Sequence, residues 1–186
     1  MVPITALWLP ILLSAVIVFV ASSILHMVIP YHKSDYRKLT EEGKVMDTLR
    51  AAGVTPGRTY HFPYTTHKEM KSPEAVEKFK RGPIGLLTVI PSGAPAMGKY
   101  LGQWFVYCVV VGIFVACLAG RMLAPGTRYP TVFHVAGIAA FLAYGFAQVQ
   151  DSIWKGQTWG VTAKHVFDGL IYALLTAGTF GWLWPK

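Results

Sequence analysis

Acidic side chains are scarce, with 9 Asp and Glu against 17 Lys and Arg in 186 residues, and there are only two cysteines. Cys108 and Cys117 lie nine residues apart on one predicted helix, roughly 13 Å along its axis, which excludes a bond between them and any disulfide scaffold. Charge is missing altogether from Ile4 to Ile29, where His26 is the one side chain that can ionise. No positive residue precedes that run and it is too long for a cleaved leader, so it reads as a retained anchor. The sequence also lacks a phosphate-binding glycine loop, a nucleophile elbow and a paired-Cys motif, so no catalytic signature assigns a reaction.

What is present is apolar and comes in blocks. Hydrophobic residues make up 53% of the chain, charged residues 14%, and the mean hydropathy is +0.42. A bilayer core about 30 Å thick takes about 20 apolar residues as a helix. Besides Ile4 to Ile29, three blocks meet that length: Tyr100 to Leu123, Thr131 to about Trp154, and about Thr162 to Trp184. The predicted fold is all-α, with four transmembrane helices and a long loop between the first two. The expected divisions are a first span over 1–30, a basic loop or cap over 31–99 and a three-helix bundle over 100–186.

The net charge of +8 raises the question of nucleic acid, but its placement answers otherwise. Tyr31 to Lys99 holds 12 of the 17 basic residues, whereas the link after the second block holds only Arg121 and Arg128. Lys and Arg gather on cytoplasmic loops. The pattern therefore predicts the long loop and the Lys155 to Lys164 link inside, both termini outside, and lipid as the main partner.

Two short helices are expected in the loop. Over Ser72 to Arg81, Ser72 is a good N-cap, Pro73 suits the first helical position, and Glu74/Lys78 and Glu77/Arg81 are spaced for ion pairs. Over Thr40 to about Ala52, Val45, Met46 and Leu49 share a face and Gly53 supplies the stop. Ile84 to Ile90 is apolar but too short to cross, which leaves an interfacial segment beside the basic Lys78 to Arg81 region, or a strand.

Helices in lipid approach closely through small residues repeated every four positions. The second block carries Gly112, Ala116 and Gly120, the third Ala139, Ala143 and Ala147, and the fourth Gly169, Ala173, Ala177 and Gly181. These rows predict a tight bundle of the last three spans, or a face for a second copy or another membrane subunit. The six tryptophans fall mostly near span ends, where an interfacial belt is expected.

Ionisable groups at membrane depth are the candidate functional positions. His26, Asp151, His165 and Asp168 all fall at the inner ends of their spans, and Asp151 continues the Ala139 row. They suit a metal or proton site, or else simple interfacial bonding to Lys155 and Lys164. A haem held by two histidines would have to pair His26 with His165, because His134 lies near an outer end. His32, His61 and His67 lack zinc-site spacing and read as solvated loop residues. No cofactor is predicted beyond a metal ion at the Asp/His group.

The charge-free first span leading into His32 to Tyr36, together with the closing run from Asp168 to Pro185, resembles uncharacterised bacterial membrane proteins of similar length. That resemblance implies a bacterial inner membrane and carries no activity or residue role. The function expected first is a non-enzymatic accessory or assembly subunit of a membrane complex. A small oligomeric transporter or proton- or metal-binding protein using the Asp/His group comes second, and a membrane metalloenzyme third.

Overall fold

A computed structural model describes residues 1–186. The chain is mostly helical and divides into two compact units, one comprising Met1–Asp35 and Ala96–Lys186 and the other Tyr36–Pro95. In chain order the elements are α1 (Trp8–Ser23), α2 (Glu42–Ala51), β1 (Arg58–Phe62), α3 (Pro73–Arg81), β2 (Gly85–Val89), α4 (Met97–Met122), α5 (Tyr129–Tyr144), α6 (Val149–Trp154) and α7 (Trp159–Trp182).

The first unit is a helical bundle. Three of its helical stretches, Ile4–Val28, Met97–Met122 and Tyr129–Trp154, are long and apolar enough to cross a membrane. The remaining helix, α7, has 24 residues and so is about 36 Å long, but Lys164 and Asp168 lower its hydropathy. Large apolar side chains such as Phe114, Val106, Ile138 and Trp182 point away from the bundle. In water that surface would be costly, and in hydrocarbon it is neutral.

Small residues set which helices meet. Gly112 of α4 lies against Ile11 of α1, where an added Cβ would come 3.3 Å from the Ile11 carbonyl oxygen. At the other end of α4 the Gly120 carbonyl accepts from the Val2 amide at 2.7 Å. Gly112, Ala116 and Gly120 are all buried, and the contacts their glycines make are with α1 and its N-terminal lead rather than within the last three helices. The Gly169 row of α7 faces α5: Gly169 sits on the Tyr144–Gly145 backbone, Ala177 meets Gly137, and Gly181 lies under the Tyr129 ring.

The third row is displaced by one residue. The buried line on α5 is Val132, Ala136, Ala140 and Tyr144, while Ala139 and Ala143 are half-buried and Ala147 is exposed. The third apolar block is also broken, because the α-helix stops at Tyr144 and a single tight turn over Phe146–Gln148 precedes α6. Gly145 stands at this break with the Gly169 backbone against it, an approach that a side chain on Gly169 would prevent. Asp151 lies beyond this break, on α6, and so does not belong to the α5 helix.

Tryptophan placement divides. Trp8, Trp154, Trp159 and Trp182 are exposed, as an interfacial belt requires. Trp184 is buried and donates from Nε1 to the Ala124 carbonyl at 3.0 Å, and Trp104 donates to Ser22 Oγ at 2.8 Å. Both cysteines are free; Cys108 is buried and Cys117 exposed.

The second unit is small. Strands β1 and β2 pair antiparallel with Arg58 opposite Val89 and Phe62 opposite Gly85, so the apolar Ile84 to Ile90 run is a strand and the chain is not wholly helical. Phe62 covers Gly85, which has no side chain to obstruct the ring. Helix α3 begins as its sequence requires: Ser72 Oγ accepts from the Ala75 amide at 3.2 Å, and Lys78 pairs with Glu74 at 2.8 Å. Glu77 and Arg81 form no ion pair. Ala75 is the one buried apolar residue of this unit, too little to make a core.

Candidate metal centre

The site begins where α1 ends. Ile29 precedes Pro30 and is held extended, since a residue before proline is pushed out of the helical region. The helix therefore finishes in a widened π turn over Ile24–Val28, with the Ile29 amide reaching back to the Ile24 carbonyl at 3.1 Å. A tight 3-10 turn over Pro30–Ser34 then doubles back. The reversal stacks the His32 ring on the His26 ring, with centroids 4.3 Å apart.

Helix α7 supplies the other side. His165 and Asp168 are three residues apart on one face, and the His165 ring lies 5.5 Å from that of His32. Lys164 fastens the turn to the helix, because its Nζ donates to the Tyr31 carbonyl at 2.7 Å, Ser34 Oγ at 2.8 Å and Asp35 Oδ1 at 2.6 Å. One donor atom from each of His26, His32, His165 and Asp168 lies within 4.8 Å of the others.

Two of the three rings have their orientation fixed from behind. Nδ1 of His26 donates to the Ser22 carbonyl at 3.1 Å, which leaves Nε2 free, 4.0 Å from Asp168 Oδ2. His32 donates from Nδ1 to Asp35 Oδ2 at 2.6 Å, and its Nε2 stands 2.9 Å from Asp168 Oδ2. Between Nε2 and Asp168 there must be a cation or a proton, since two lone pairs at that distance repel. Burial raises the Asp35 carboxyl, but hydrogen bonds and charge from Lys164 and His32 outweigh it and hold Asp35 below the usual carboxylate range. Asp35 thus stays ionised and keeps the His32 imidazole turned toward Asp168.

Asp35 and Asp168 face one Lys164, so the second carboxylate is balanced by a cation or a proton held among the imidazoles. Asp168 has a side chain only 3% exposed, and its second oxygen, Oδ1, has no hydrogen-bond partner. An unmet buried acceptor costs about 1–3 kcal/mol, and more when charged.

Of the four residues the sequence brings forward, the structure gathers His26, His165 and Asp168 and leaves out Asp151. Asp151 pairs with Lys155 at 2.7 Å and is not in the group; it lies on α6, past the point where the α5 row ends. His32 takes its place. Expected as a solvated loop residue, its side chain is only 11% exposed between two carboxylates. The signal was His26-Met-Val-Ile-Pro30-Tyr-His32, a helix end, a proline and a second histidine within reach of the first.

The chain matches no family model, no curated protein and no solved structure.

Proposed function

We propose that the chain is a four-span protein of a bacterial inner membrane whose His26, His32, His165 and Asp168 bind one divalent transition-metal ion at the cytoplasmic end of the bundle. The observation that carries this reading is the convergence of three imidazoles on a buried carboxylate with an unpartnered oxygen. Three nitrogens and one oxygen suit zinc, and also iron, cobalt or nickel. Ligands at about 2.0–2.1 Å in a tetrahedron stand roughly 3.3 Å apart. The four donor atoms lie within 4.8 Å of one another. Asp35 would be the outer carboxylate that orients His32, the arrangement usual behind metal-bound imidazole.

The four spans include α7, whose Lys164, His165 and Asp168 fall in its first half and whose second half carries no charged residue. The orientation rests on the basic residues of Tyr31 to Lys99. The apolar outer surface needs no partner other than lipid, so the cluster supports a metal-binding role better than that of an accessory subunit. A proton site is the second reading, supported by the line Asp35–His32–Asp168, in which a proton could occupy the position assigned to the metal.

The test is metal content of the full chain purified in mild detergent after zinc loading and removal of loose metal. About one zinc per chain is expected, lost in Asp168→Asn and His32→Ala and retained in Asp151→Asn. No retained metal in the unaltered chain, or equal loss in Asp151→Asn, leaves the proton reading in its place.

A further inference from the structure

A cavity of about 570 Å³ opens beside the cluster, bounded by α1, α4, the α5 end and α7. His26, His165 and Asp168 line its polar end. The rest of the lining is mostly apolar and aromatic, including Leu101, Trp104 and Tyr144, with Ser22, Ser23 and Gln148 as its other polar members, and Met27 and Met97 on the wall are largely exposed. Its volume is that of a small-molecule site, which typically spans about 300–1,000 Å³.

Three features narrow what fits. No Lys or Arg lines the cavity, so away from the metal centre its walls offer an anionic headgroup no fixed positive side chain. Tyr172 lines it too, and its buried hydroxyl has no hydrogen-bond partner, so a pure hydrocarbon leaves a buried donor unmet. A sugar or other fully polar solute would set its hydroxyls against Met27, Met97 and Leu101 and lose their hydration. The wall is also fixed in advance, since Ser22 Oγ accepts from Trp104 while donating to the Phe19 carbonyl at 2.8 Å.

We propose that this cavity binds a neutral, lipid-soluble molecule with a carbonyl head and an apolar tail, the head accepting from Tyr172 beside the metal centre and the tail leaving past Met27 and Met97. Both membrane quinones and ester-linked glycerides have that chemistry. The inference rests on the metal reading for the polar end only; the Tyr172 hydroxyl and the apolar walls stand without it.

The experiment titrates the full chain in dodecyl maltoside, zinc-loaded, with decylubiquinone and separately with dioctanoylglycerol, by calorimetry against empty micelles. Saturable binding of about one molecule per chain is expected for at least one probe, and which probe binds tells the two sources apart. Tyr172→Phe, which removes one oxygen and preserves the ring, should weaken it roughly 3- to 10-fold, as loss of one hydrogen bond does. Leu101→Trp, which fills the cavity, should weaken it by at least as much. Absence of saturable binding by both probes, or binding indifferent to either substitution, overturns the proposal. Zinc content read on the same samples separates the two ideas. A chain that holds zinc and ignores both probes sinks the ligand inference alone, and one that binds a probe but never zinc sinks the metal reading alone.

Discussion

His32 Nε2 lies 2.9 Å from Asp168 Oδ2, a contact made between residues 136 apart in the sequence. It joins the turn after the first span to the last helix. Asp35 and Lys164 hold both sides of it, so the imidazole cannot turn without breaking a charge-assisted bond of 2.6 Å.

Asp35 should tune the metal rather than hold it. In Asp35→Asn the amide still touches Lys164 and His32 but no longer supplies the charge that orients the ring. Zinc affinity should fall about 10- to 100-fold, in line with losses of outer carboxylates elsewhere, while one zinc per chain is still reached at saturation. Competition titration with a chromogenic chelator reads this, and unchanged affinity would remove Asp35 from the account.

Acid should loosen the same tie. Asp35 titrates below its ordinary value in the folded chain, so its contribution to stability is complete above the unfolded value of about 3.9 and is lost as pH falls through the folded one. Thermal melting of the metal-free chain should decline more steeply below about pH 4 in the unaltered protein than in Asp35→Asn. Parallel curves from pH 6 to pH 3 would contradict it. Metal occupancy should also fail on acidification, as protons compete with the ion for the ligating imidazoles.

Packing of α5 on α7 depends on Gly169. A Cβ there would overlap the Gly145 backbone, and backbone cannot swing aside as a side-chain tip does. Gly169→Ala should cost about 2 kcal/mol or more, seen as a lower melting temperature in detergent. Gly102→Ala is the matched control, because nothing lies within 4 Å of its added carbon. Its melting temperature should hold or rise slightly.

Orientation has its own check. In a chain lacking both native cysteines, a thiol placed by His67→Cys should resist a membrane-impermeant maleimide in intact cells, whereas Pro125→Cys should react. The opposite labelling would invert the topology and put the metal site on the outer side.

Length and composition were enough to read the apolar helices, and the Ser72 cap and the Glu74–Lys78 pair were legible because helix starts and i,i+4 pairs are local chemistry. Half of the site was legible for the same reason, since His165 and Asp168 share a helical face at any tertiary arrangement. Asp151 was misplaced because extrapolating a row assumes an unbroken helix, and α5 ends at Tyr144. His32 was missed because a loop residue has no face until the chain reversal at Pro30 gives it one. The pairing of β1 with β2 was out of reach likewise: Arg58 to Phe62 has no strong alternation, and its partner lies across the whole of α3.

The central claim is that three imidazoles and one carboxylate enclose a metal ion, and X-ray absorption on the zinc-loaded full chain tests it most directly. The account predicts four light ligands at about 2.0–2.1 Å with the outer-shell scattering of three imidazoles, reduced to two in His32→Ala. A six-oxygen shell without imidazole scattering, or a spectrum unaltered by His32→Ala, would contradict it.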